Sequence, residues 1–269
     1  MAKSANSKRI ICFLSDFGSN SVYVAEVKGV ILSIYKDVQI IDLTHQISPH
    51  NILEASFILK NTYKFFPKNT VFLTVVDPGV GTDRKIILVK TKNYYFLAPD
   101  NGLIYETIIK DGVEKIVEVK NKKYFLKEVS FTFHARDIFA PTLSHFLKDL
   151  KMEKLGGVLN IKEIVPLHLP KPFIKNNTLF AQIMHIDNFG NLVTNLDEKF
   201  FLSFVNNKKF SAFLNKKRIT EYSTNYLSIK NKPFFIRGSF KTLEVALSKF
   251  SAKEYFKAKL GDLIKIKLQ

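Results

Sequence analysis

The sequence predicts an α/β fold: an N-terminal, mostly parallel sheet flanked by helices, then a smaller C-terminal antiparallel, β-barrel-like domain. Three observations predict it. Strand-length apolar runs alternate with helical-period segments through roughly the first 165 residues. Three prolines in seven residues, Pro166, Pro170 and Pro172, then form a stiff, extended connector. Beyond them lie short β segments separated by turns. The domains so delimited are residues 8–165 and 173–269.

In chain order, residues 9–14 are an apolar strand ending in the polar turn Ser15-Asp16-Phe17-Gly18. Val22, Val24, Val27, Val30, Ile31 and Ile34 recur at helical spacing and define one apolar face. Residues 39–43 form a second strand, followed by a polar loop over 44–50. Asn51, with Glu54 three residues on, reads as a capping box for a helix over 52–63. In the strand over 70–76, six of seven residues are β-branched or aromatic. Strands at 86–90 and 94–98 follow, the latter running into the turn Pro99-Asp100-Asn101-Gly102. A helix from about 137 to 150 carries Pro141 in its first turn, where proline is tolerated. In the second domain, β segments fall at 180–186, 192–195, 210–214, 226–230, 234–237 and 263–268.

Composition narrows the class. Of the 269 residues 46% are hydrophobic, with 25 Phe and 10 Tyr, enough for a substantial core. No apolar run approaches the roughly 18 residues of a membrane span. The first eight residues carry no hydrophobic signal region. The single Cys12 sits inside an apolar run, where packing explains it better than reactivity, and fits a reducing cytoplasm. Net charge +17 invites a nucleic-acid partner, but the 41 basic residues are five Arg and 36 Lys spread along the chain. Phosphate and base readout favour the arginine fork, and no RNP, zinc-finger or helix-turn-helix pattern is present. A solvated lysine surface is the better reading. The six His show no HExxH or other zinc spacing, so no metal is expected.

Two segments carry ionisable groups on tight turns. Asp77 leaves a buried strand into Pro78-Gly79-Val80-Gly81-Thr82-Asp83-Arg84, and His134 lies in Phe131-Thr132-Phe133-His134-Ala135-Arg136-Asp137. Loops beyond strand ends are where open α/β sheets place ligands. A carboxylate, a guanidinium and an imidazole there could orient and activate a water molecule. Spacing alone favours a salt-bridged turn and a loop histidine, because structural ion pairs are common.

Seven motifs shift that balance. They are Ser15-Asp16-Phe17-Gly18, Lys28-Gly29-Val30-Ile31, Asp42-Leu43-Thr44-His45, Val76-Asp77-Pro78-Gly79-Val80-Gly81-Thr82, Ala98-Pro99-Asp100-Asn101-Gly102, Thr132-Phe133-His134-Ala135-Arg136-Asp137 and Ile186-Asp187-Asn188-Phe189-Gly190-Asn191. In this order they resemble the S-adenosylmethionine (SAM) hydrolases, also called SAM hydroxide adenosyltransferases, related to the SAM-dependent halogenating enzymes. The resemblance covers nearly the whole chain. It implies an SN2-like attack of water, as hydroxide, on the 5′ carbon of SAM, releasing methionine and leaving adenosine, with no cofactor. Its catalytic set falls on Asp77, Arg84 and His134. Its substrate contacts fall on Asp16 at the ribose, His50 and Phe133 at the cleft wall, Asp187 and Ser239 toward the methionine portion, Phe189 and Asn191 at the adenine, and Glu244. It further implies a homotrimer whose sites form between the first domain of one subunit and the second of its neighbour.

Departures from the family pattern are Ser21, where many relatives have Asp, Asn51 after His50, and Phe240-Lys241 after Ser239. The nearest alternative is a halide adenosyltransferase. That reaction would dispense with an acid-base set, because a halide needs desolvation and not deprotonation. A basic nucleic-acid-binding protein is the more distant alternative.

Overall fold

Arg9–Ser15 forms β1, buried from Ile11 onward, with β2 (Val38–Thr44) and β3 (Val71–Val75) paired in parallel on either side. The computed structural model describes residues 8–269, in two compact units that divide between Leu169 and Pro170. In the first unit β3 also pairs in parallel with β5 (Tyr95–Pro99). Between β5 and β6 (Val113–Glu118) runs β4 (Ile86–Thr91), antiparallel to both, and β7 (Val158–Leu159) edges the sheet. The order is β2-β1-β3-β5-β4-β6-β7, so a parallel half carries an antiparallel extension. Chain length dictates the change of sense. Only residues 92–94 join β4 to β5, and a parallel crossover needs a dozen residues or more.

Four helices accompany this sheet: α1 (Val22–Ile34), α2 (Ile52–Thr62), α3 (Tyr105–Asp111) and α4 (Ala140–Leu147). Helix α1 buries Val24, Val27 and Ile31, the centre of the predicted stripe, while Val22 at its start is exposed. Asn51 caps α2 by accepting the Glu54 N–H at 3.0 Å, and the Glu54 carboxylate accepts the Ser48 N–H at 2.9 Å. The helix predicted from about 137 begins two residues earlier, as a π turn over Ala135–Phe139, and α4 ends at Leu147. Pro141 lies in the first turn of α4. Helix α3 and strand β6 escape the sequence reading because Glu106, Lys110, Asp111, Glu114 and Lys115 interrupt their apolar spacing. Phe13, Phe72, Phe96 and Phe139 are fully buried, and the Phe72 and Phe96 rings stack at 5.1 Å across the β3–β5 pair.

The second unit contains β8 (Phe173–Lys175), β9 (Thr178–Ile186), β10 (Leu192–Asp197), α5 (Glu198–Val205), β11 (Phe210–Leu214), β12 (Lys217–Ile219), β13 (Glu221–Ser223), β14 (Pro233–Arg237), β15 (Thr242–Leu247), α6 (Ala252–Phe256) and β16 (Leu263–Leu268). The order is β12-β11-β16-β9-β10-β15-β14-β13, with β8 also on β9. All pairs are antiparallel except β13–β14. Its two end strands are joined through Thr220 alone, so the sheet curls into a nearly closed barrel. Phe201, Phe235, Leu243, Val245, Phe256 and Ile264 fill its core.

Residues 226–230, predicted as a strand, are instead turns. The reason is local. Asn225 Oδ1 accepts the N–H groups of Leu227 at 3.0 Å and Ser228 at 2.9 Å, an Asx-type turn that competes with strand pairing. No helix among the described residues is long and apolar enough to cross a membrane.

Two histidines of the first unit set an acid limit. Burial lowers the pKa of His45 and of His145, the latter helped by the Lys148 charge. In the unfolded chain both titrate near the ordinary value of about 6.5. Below that pH the unfolded state binds more protons, so stability should fall as pH drops from about 6.5 toward the depressed folded values. Thermal melts between pH 7.5 and 5.5 should show a declining Tm; a flat profile would contradict this account.

Candidate active site

The turn that follows β3 is held from three directions. Asn101 Nδ2 donates to the Val76 carbonyl at 2.8 Å, fixing the backbone just before Asp77. The Val80 N–H closes onto the Asp77 carbonyl at 3.2 Å, and the Thr82 N–H onto that of Gly79 at 3.1 Å. Gly81 has φ +80°, and a Cβ there would lie 2.5 Å from the Phe131 carbonyl oxygen. Only glycine therefore lets this turn press against the segment bearing His134.

Those contacts bring three ionisable groups together. Arg84 Nε donates to both Asp77 oxygens, at 3.1 and 3.0 Å, and its Nη2 donates to Asp77 Oδ2 at 2.6 Å. The same Nη2 lies 2.9 Å from His134 Nδ1. Only 6% of the Asp77 side chain and 11% of the Arg84 side chain are exposed, so the pair is held nearly free of water. The Arg84 guanidinium also lies over the Phe139 ring, 5.8 Å from its centroid. Burial first, and then the Arg84 charge, lower the His134 pKa, with Asp77 and Asp137 opposing. His134 is thus neutral near pH 7. Because arginine has only donors, Nδ1 is the acceptor and the neutral ring carries its proton on Nε2.

A cleft of about 290 Å³ opens over this cluster, lined by Asp16, His50, Asp77, Phe133 and His134 together with Phe17, Tyr23, Pro49, Val75, Val80, Thr132 and Ala135. His50, at φ +64°, donates its N–H to Asp16 Oδ2 at 2.9 Å. Phe133 packs edge-on against Tyr23 at 4.9 Å and Phe17 at 5.8 Å, and Arg136 lies 5.1 Å over its ring. The predicted first-unit residues therefore converge. Tyr23, which the sequence reading did not single out, belongs with them; its place in the first turn of α1, beside Phe17, was the available signal.

Asp187, Phe189, Asn191, Ser239 and Glu244 gather in a second cleft, of about 610 Å³, within the second unit. The β9–β10 hairpin supplies the first three. Asp187 Oδ1 accepts the N–H groups of Phe189 at 2.9 Å and Asn191 at 2.8 Å, while Oδ2 accepts Asn191 Nδ2 at 2.9 Å. Gly190, at φ +80°, would bring a Cβ within 2.2 Å of Ser251 Oγ, so the hairpin tip rests on the start of α6. Phe189 is left 80% exposed, a bare aromatic face at the cleft mouth. Ser239 sits in the turn between β14 and β15. Glu244 is buried on β15, its pKa raised by burial and then by Asp187, and it accepts the Tyr226 hydroxyl at 3.2 Å. The Tyr226 phenol is in turn pushed up to about 12 by burial and the Glu244 charge. Reading 226–230 as a strand hid Tyr226 and Leu227 as lining residues; the Ser223-Thr224-Asn225 cluster before them was the missed turn signal.

The departures have local structural duties. Ser21 caps α1, accepting the Tyr23 N–H at 3.2 Å, and Asn51 caps α2. Lys241, at φ +68°, closes the β14–β15 turn by donating its N–H to the Gly238 carbonyl at 3.0 Å.

Comparison with known proteins identifies both parts of the chain. Residues 11–156 match the SAM hydroxide adenosyltransferase N-terminal domain, and residues 181–265 match the C-terminal domain of the same family. A protein of Methanocaldococcus jannaschii named (R)-S-adenosyl-L-methionine hydrolase is 35% identical over 194 residues, 70% of this chain and 66% of the relative. An Actinoplanes protein named fluorinase is 31% identical over 217 residues, 71% of this chain and 73% of the relative. The crystal structure of an uncharacterized conserved protein from Thermotoga maritima superposes with a TM-score of 0.86 at 36% identity, covering 96% of this chain and 99% of that one. With both domain types matched in order along the chain, the protein belongs to the SAM hydroxide adenosyltransferase family.

Proposed function

We propose that this protein hydrolyses S-adenosyl-L-methionine to adenosine and L-methionine. The observation that carries the proposal is the Asp77–Arg84–His134 cluster opening onto the cleft that also holds Asp16. The relatives named as hydrolases supply the substrate. Water attacks the 5′ carbon, the C5′–S bond breaks with its electron pair going to sulfur, and a neutral thioether departs. No general acid is needed. The demanding part is to hold an anionic oxygen in line at neutral pH. The Nε2–H of His134 fixes the oxygen, Arg84 offsets its negative charge, and Asp77, with an accepting position left on Oδ1, takes the proton on its way to solvent. A halide arrives without a proton, so transfer to halide would leave Asp77 with no proton to take.

Asp16 holds the ribose hydroxyls, with His50 and Phe133 walling them. Phe189 offers its exposed face to the adenine and Asn191 its amide edge. Asp187, Ser239 and Glu244 line the same second cleft, toward the methionine portion. The contacts come from two clefts, and we infer that a homotrimer completes each site by pairing the first unit of one subunit with the second unit of its neighbour. Light scattering should give a trimer's mass for active protein, and an active monomer would refute this. The buried Cys12, its thiol pKa raised by burial and then by Asp42, suits a reducing cytoplasm, where we place the protein.

The mechanism runs without metal or cofactor, since Arg84 supplies the positive charge. Turnover should be unchanged by EDTA; loss of activity restored by a divalent ion would exclude this chemistry.

The cluster itself is tested by near-isosteric changes, because its ion pair is nearly buried. Asp77→Asn, Arg84→Lys and His134→Gln should each lower kcat about 10²-fold or more with KM little changed. The Asp77→Asn, His134→Gln double variant should lose far less than the product of the single losses, because both residues act on one water. Asn191→Ala should chiefly raise KM. Wild-type turnover of SAM by the Arg84→Lys, His134→Gln double variant would refute the assignment.

A further inference from the structure

Beneath the Asp16 turn lies a chain of polar contacts that the reaction does not use directly. Lys28 Nζ on α1 donates to Asp42 Oδ2 at 2.6 Å. Asp42 Oδ1 lies 3.0 Å from His45 Nε2. His45 Nδ1 meets Ser15 Oγ at 2.7 Å, and Ser15 Oγ accepts the Phe17 N–H at 3.3 Å. The His45 carbonyl accepts the Gly18 N–H at 2.7 Å. Residues on both sides of Asp16 are thus anchored to His45, directly or through Ser15.

The Asp42 carboxylate, 3.0 Å from Nε2 but out of hydrogen-bond geometry, favours the imidazole proton there by its charge, and Nδ1 is then the acceptor of the Ser15 hydroxyl proton. Burial is the largest influence on His45 and keeps it neutral, while burial of the Asp42 carboxyl is outweighed by the Lys28 hydrogen bond and the nearby His45 ring, which hold it below its usual range. The Phe13 ring, edge-on at 4.7 Å, packs against the imidazole. Asp42, His45 and Ser15 resemble a nucleophilic triad in their order of contact, but Ser15 is 0% exposed and its oxygen already accepts a backbone N–H. No substrate atom reaches it. Its output is conformational.

We propose that His45 is a positioning residue that sets Asp16, and through it the bound nucleoside, from beneath the cleft. The proposal rests on the reading above that Asp16 holds the ribose. His45→Ala and the milder Ser15→Ala should each raise KM for SAM about 10-fold with kcat within about 2-fold. Neither should raise KM further in an Asp16→Ala background, since the effect travels through Asp16. His45→Asn, which retains an acceptor near the Nδ1 position, should recover most of the loss. Thermal melts of each variant separate folding from binding, and Ser15→Ala carries the test if His45→Ala does not fold. Asp16→Ala with an unchanged KM would remove the reading of the site, and the proposal with it. A raised KM in Asp16→Ala with unaltered KM in both Ser15→Ala and His45→Ala, or losses that multiply in the double variants, would remove the positioning role alone.

Discussion

Everything at the candidate site depends on one nearly buried cation. Arg84 is kept from water by Phe139 and the Asp77 turn, and a guanidinium in that position is stable only while its donors are matched. Asp77 matches three of its contacts and His134 a fourth. Removing one partner of such a pair costs about 3–5 kcal/mol, because the other charge stays behind. The surrounding architecture meets that constraint. Asn101 fixes the end of β3, Gly81 allows the turn to dock on Phe131, and the π turn begins immediately after His134. A π turn within a helix is uncommon and recurs at functional positions.

The same constraint decides the state of the imidazole. Burial, and then a neighbouring cation that can only donate, fix the charge of His134 before any substrate arrives, and that cation fixes its tautomer. The His45 network uses the opposite device, a carboxylate at the far nitrogen, to favour its own tautomer. Two histidines in one unit are thus held neutral and oriented by different partners, one at the cleft and one beneath it.

Much of this was legible in the sequence, and the exceptions have physical causes. The strands at 9–15 and 71–75 are mostly buried, apolar and bounded by turns, so their residues announce them, and the half-exposed strand at 38–44 still shows its central Ile40-Ile41 pair. Asp77, Arg84 and His134 stood out as ionisable groups on Gly- and Pro-bearing turns, yet spacing alone could not separate a working cluster from an ornamental ion pair. Asn101 read as a turn residue, but its hydrogen bond to the Val76 carbonyl is a tertiary contact that no local pattern encodes. Tyr226 was lost because Tyr226-Leu227-Ser228-Ile229 alternates like a strand, while Asn225 captures the backbone groups a strand would need. Asp187 shows the converse. The hairpin turn expected of its motif is real, and the same carboxylate that closes it faces the cleft.

The short step through Thr220 governs how the second unit can meet other chains. A sheet ending in open strands exposes rows of unpaired N–H and C=O groups, and these invite strand-by-strand growth between molecules. Here the two terminal strands of the order are three residues each and follow one another directly, so little backbone is left to template an incoming strand. At this seam an incoming chain would meet side chains, whose shape and charge can discriminate, more than free backbone, which cannot.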